Sequence, residues 1–139
     1  VVMKAVLLMV VLAALAGGQS QNTYARYDVN GSMTSVISLF DFASDEDCRG
    51  RETYSGVISK VEYNNQKQIE SFSLKVQRKG RKPLVLVYAF PLDPYEGGLE
   101  PNELTKLPTL IREGNRVRVD GYECGLKAAA FFSHSIYKL

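Results

Sequence analysis

Hydrophobic and polar positions divide the chain into three stretches. Residues 5–16 (AVLLMVVLAALA) are unbroken apolar, residues 17–53 are mixed and largely polar, and from residue 54 onward short runs alternate between turn residues. The last pattern is that of β-strands. Residues 54–63 (YSGVISKVEY) form the first predicted strand, rich in β-branched and aromatic side chains, with an early Gly56 that marks a bulge. A turn at Asn64-Asn65-Gln66-Lys67 leads to residues 68–78, where Phe72, Leu74 and Val76 fall on one face and Ser71, Ser73, Lys75 and Gln77 on the other. Residues 83–90 (PLVLVYAF) are apolar on both faces, which predicts a central strand. Residues 116–123 (RVRVDGYE) alternate strictly, and residues 131–139 are the last strand.

Between the third and fourth strands the period changes. Leu104, Leu107, Leu110 and Ile111 make a helical stripe over residues 101–113, and Gly114-Asn115 ends it. Pro108 lies inside that stripe and lacks the N–H a helix interior needs, so a kink or two short turns are expected. Upstream, Met33, Val36, Ile37 and Phe40 also recur at helical spacing, so residues 33–42 are predicted as a short helix, with a strand as the alternative. Residues 17–33 read as a flexible lead-in with a turn at Asn30-Gly31, and residues 45–51 as a charged loop. Asn30-Gly31-Ser32 is also a glycosylation sequon.

Residues 1–20 are expected to be a secretory signal. Met3-Lys4 supplies a positive start, the apolar run falls short of the about twenty residues of a membrane span, and Ala14-Leu15-Ala16 fits a cleavage site. Leu15-Ala16-Gly17 leads to Gly18 where a lipobox would carry its cysteine, so no lipid anchor is expected. The expected organisation is a signal at 1–20, an N-terminal extension with a short helix and charged loop at 21–53, and a folded domain at 54–139. The expected location is secreted or periplasmic, with no membrane anchor after cleavage.

The order of three strands, a helical connection and two strands resembles the OB-fold, a five-stranded Greek-key barrel. Glu113-Gly114-Asn115-Arg116-Val117-Arg118-Val119-Asp120-Gly121 resembles the entry to the fourth strand in bacterial OB domains. The fold class implied is all-β with one helical connection. In that fold the start of the first strand lies beside the end of the fourth, which would bring Cys48 to Cys124. A disulfide is in any case the default for two cysteines in an exported chain.

Composition narrows the function. The chain has 139 residues, 17 Lys+Arg against 15 Asp+Glu, a net charge of +2, two Cys and one His. Loss of Lys4 with the signal would leave +1. A uniformly basic nucleic-acid binder and a four-ligand Cys/His zinc site are excluded. No G-x-S-x-G elbow or phosphate-binding glycine loop occurs. The acidic runs Asp45-Glu46-Asp47 and Asp93, Glu96, Glu100 lack EF-hand spacing. His134 alternates with Phe132 and Ile136 and is read as a packed histidine. No catalytic residue, metal or cofactor is expected.

The resemblance points to the outer face of the second and third strands and the loops that frame it. The candidate ligand-binding residues are Lys75, Gln77, Arg78, Lys79, Arg81, Lys82, Tyr88, Asn65, Lys67 and Lys127. Five cations between Lys75 and Lys82 stand against acidic stretches at 41–52 and 93–103, so the small net charge is a cancellation. The expected function is a non-catalytic binding module for an oligosaccharide, an anionic polymer or a protein partner. The alternatives are a single-stranded nucleic-acid binder using the basic hairpin, and a metal-dependent nuclease drawing on Arg118, Asp120 and Glu123.

Overall fold

The computed structural model describes residues 23–38, 42–76, 84–89, 99–125 and 130–139. The expected signal segment lies outside them, as do residues 39–41, 77–83, 90–98 and 126–129. Seven strands form one sheet: β1 (Thr23–Tyr27), β2 (Met33–Ser38), β3 (Cys48–Tyr63), β4 (Ile69–Val76), β5 (Leu84–Tyr88), β6 (Arg116–Cys124) and β7 (Ala130–Lys138). Among the described residues between β5 and β6 are two four-residue helices, α1 (Pro101–Leu104) and α2 (Leu107–Leu110).

The strand order is β1-β2-β7-β5-β4-β3-β6, and β6 pairs again with β7. Strands β3 to β7 therefore close into a five-strand ring. All pairings in the ring are antiparallel except β5–β7, which is parallel. A residue chain of sixteen lets β3 serve two neighbours: Cys48 to Val57 pair with β6, and Gly56 to Tyr63 pair with β4. Gly56 stands where these partners overlap. A Cβ there would collide with the Lys75 carbonyl oxygen, so only glycine lets the strands cross so closely. The register shift falls at Ser59 rather than at Gly56.

The segment from Gly114 to Gly121 anchors the ring. Gly114 takes a left-handed φ of 91°, and its N–H donates to the Ile58 carbonyl at 2.8 Å. The Asn115 side chain donates to the last carbonyls of α2, Thr109 at 3.1 Å and Leu110 at 3.0 Å. Val117 and Val119 are buried in the core with Phe72, Leu74 and Ile136. Gly121 packs against the Phe132 carbonyl and the Phe131 ring. Pro108 divides the helical stripe as its missing N–H requires, and sits in the first turn of α2. Leu107, Leu110 and Ile111 are buried, and Leu104 packs against the core from its edge.

The order of elements differs from expectation at the N-terminal side. Residues 33–38 are a strand, not a helix, and β1 occupies part of the expected flexible lead-in. The reason is tertiary. β5 pairs with β7 only at Val87 and Tyr88, against Phe131 and Phe132. The rest of that edge of β7 is free to pair, and Ser35 to Ile37 take it, opposite Ser135 to Tyr137. The Met33 N–H also donates to Thr109 Oγ1 at 2.8 Å. Met33 and Val36 are fully buried, so their helical spacing is incidental. The expected charged loop is shorter too: β3 starts at Cys48 and not at residue 54. Cys48 and Cys124 are register partners on β3 and β6 and form a disulfide.

Candidate functional site

Alternation along β4 and β5 fixes what the ring shows to solvent. Phe72 and Leu74 on β4, and Val85 and Val87 on β5, turn to the core. Their neighbours form the outer face, with Ser71 across from Tyr88, Ser73 from Leu86 and Lys75 from Leu84. β5 is central as expected, with β4 on one side and β7 on the other. Its outer leucines are nevertheless uncovered: Leu84 is 51% and Leu86 46% exposed. Apolar residues on both faces of this strand mark its central place in the sheet, not burial from both sides.

The apolar face continues onto β7 and β6. Tyr88 is level with Phe132, ring centroids 5.4 Å apart, and Phe132 is level with Tyr122. Phe42, from the short 3-10 turn Phe42–Ser44, stacks on Tyr122 at 5.0 Å and 9° and is itself buried. His134 meets both rings edge-on at 6.0 and 6.2 Å. The flank of the face on β3 is self-neutralised, since Lys60 and Glu62 pair at 3.1 Å.

His134 does not share the face of Ile136. β7 carries one extra residue opposite the Asp120/Gly121 step, and this bulge puts Ile136 in the core while His134 joins the Phe42–Tyr122 rings. Burial pushes the imidazole below the usual histidine value, Arg51 pushes it the same way, and Asp120 opposes them. Its Nδ1 is buried and has no hydrogen-bond partner among the described residues, which also favours the neutral ring.

Asp120 is already engaged. Its Oδ1 accepts from Thr53 Oγ1 at 2.6 Å and its Oδ2 from Ser135 Oγ at 3.1 Å. The Arg118 guanidinium lies over the Tyr137 ring, 4.6 Å from its centroid. Glu123 is opposite Arg49 in register. Among the described residues no group of three His, Cys, Asp or Glu is placed to hold a metal.

Of the sequence-predicted binding residues, Tyr88 and the exposed Lys75 share the outer face. Asn65 and Lys67 belong to the β3–β4 turn, where Lys67 lines a groove against the helices. Gln77, Arg78, Lys79, Arg81, Lys82 and Lys127 lie outside the described residues. Leu84, Leu86 and Phe132 were not among the candidates. The two leucines were legible as the outward half of residues 83–90; Phe132 was not, because a bulge leaves no mark on strict alternation. Comparison with protein-family models and with curated proteins finds no match to this chain.

Proposed function

We propose that the protein is an exported, non-catalytic OB-fold module that binds a protein partner through the outer face of β4, β5 and β7. The fold reading is supported by the order of the five-strand ring, with its single parallel pairing and its helical connection between the third and fourth ring strands. The Cys48–Cys124 disulfide fits an oxidising compartment, and no helix among the described residues is long and apolar enough to cross a membrane.

The observation that carries the binding reading is the exposure of Leu84 and Leu86 beside Tyr88 and Phe132. A contiguous apolar surface of this kind is stabilised by covering it. A saccharide would need several hydrogen-bonding side chains around the rings. Of the β4 serines across from β5, Ser71 is buried and Ser73 is only partly exposed. An extended peptide with apolar side chains suits leucine and aromatic surfaces better. Peptides selected by phage display against the immobilised protein should lose binding to a Leu84→Asp/Leu86→Asp variant. Equal binding to the variant would reject the site. Saturable binding of oligosaccharides or single-stranded DNA at this face, without peptide binding, would reject the partner class.

A further inference from the structure

The β3–β4 turn has a feature its sequence does not favour. Lys67 sits at φ 61°, the left-handed region, where glycine or asparagine is normally found. The turn is tightly specified around it. Lys67 N–H donates to the Asn64 carbonyl at 3.0 Å, and Asn64 N–H donates to the Gln68 carbonyl at 2.8 Å. Asn64 Oδ1 accepts from the Gln66 and Gln68 N–H groups, both at 2.9 Å. A lysine thus occupies a position that a glycine would fill with less strain.

That lysine stands at the edge of a groove. The groove has a volume of about 280 Å³ and lies between the turn and the corner joining α1 to α2. Its apolar wall is Ile69, Leu104, Leu107 and Pro108, and its polar edge is Lys67, Gln68 and Thr105. Both walls are held by local hydrogen bonds. The Asn64 contacts fix one. On the other, Glu100 and Glu103 form a capping box, and Thr105 Oγ1 donates to the Asn102 carbonyl at 2.6 Å. Among the described residues Lys67 is the one charged residue lining the groove, and it is exposed.

We infer that this groove is a binding site for a small monoanionic amphiphile, a carboxylate carried on a branched-alkyl body. The apolar wall takes the body, and the Lys67 ammonium faces the carboxylate. The volume is just below the ordinary range for ligand sites, about 300–1,000 Å³, so the occupant is small. The left-handed lysine is then explained: it holds a cation at a turn position that lines the groove, at the expense of a better turn. The site is separate from the β4–β5–β7 face, and neither reading depends on the other.

The test is a titration of the isotope-labelled protein with 4-methylpentanoate, followed by amide chemical shifts. Saturable shifts at Gln68, Ile69, Thr105 and Leu107 are expected, with a Kd on the order of 1 mM for so few atoms. The uncharged amide, 4-methylpentanamide, should bind about two- to fivefold more weakly, as one exposed ion pair allows. Lys67→Gly should weaken carboxylate binding about as much while raising the thermal midpoint. Leu104→Arg, which fills the groove from the other wall, should abolish the shifts. No saturable shift up to about 20 mM, roughly twenty times the expected Kd, would overturn the assignment. So would unchanged binding by Lys67→Gly, or shifts confined to Leu84–Tyr88 and Phe132.

Discussion

Cys48 stands directly across from Cys124 in the β3–β6 ladder, with Cα atoms 4.0 Å apart, and the bond between them joins strands whose sequence positions differ by 76. It ties the first residue of β3 to the last residue of β6. These are the ends of the longest antiparallel pairing in the ring, where a ladder would otherwise fray.

Removing this crosslink should therefore cost stability without changing the fold. The chain-entropy model gives about 4.5 kcal/mol for a loop of this length, and measured losses of about 2–5 kcal/mol are usual. A Cys48→Ala/Cys124→Ala variant should show that loss in urea unfolding, with an unchanged far-ultraviolet dichroism spectrum. A loss under about 1 kcal/mol would mean that the unfolded chain is already constrained there.

Gly121→Ala should destabilise by about 1–3 kcal/mol, because its Cβ would meet the Phe132 carbonyl and the Phe131 ring. Gly56→Ala should do the same through the Lys75 carbonyl. Gly50 is the contrast. It has a φ of 64° and open space around its Cβ position, so Gly50→Ala should cost only about 1 kcal/mol of backbone strain. Equilibrium unfolding of the three variants checks the ranking.

His134 predicts acid sensitivity. Its folded value lies below the ordinary one, chiefly through burial, so the unfolded chain binds the proton more readily. Stability is full above the unfolded value of about 6.5 and falls as the pH drops through it toward the lowered folded value. His134→Phe, which keeps a ring against the edges of Phe42 and Tyr122, should remove this part of the pH dependence. Urea midpoints measured between neutral and mildly acid pH, for both proteins, check the prediction.

Leu84→Ser and Leu86→Ser should change stability by no more than about 0.5 kcal/mol each, since both side chains already face solvent. Val87→Ser, one residue further and fully buried, should cost several times more. Thermal unfolding distinguishes the two classes. Equal losses would mean that the outer leucines are covered in solution by a part of the chain.

The ring was legible wherever local chemistry and tertiary structure agree. Alternation at β4 and β6, Pro108 in the first turn of a second short helix, and the paired valines of β6 all behave as their spacing indicates. The misses have one origin, which is an edge completed by a distant strand. Val36 and Ile37 are equally ready for helix or strand, and only the unfilled part of β7 decides. The bulge at His134 is invisible for a related reason: it corrects the register between β6 and β7, a property of two strands and not of one. At the candidate site, Tyr88 was legible from its outward position on β5, whereas Phe132 depended on that bulge.

β7 follows in sequence every strand it pairs with, and it touches three of them. Until residues 130–138 are available, β6 has one neighbour instead of two, and β5 and β2 each lack a side. A chain cut short before Ala130 would carry three unfinished seams at once. Closure waits for the last strand, so premature stops and C-terminal proteolysis should produce an aggregating chain and not a smaller folded one.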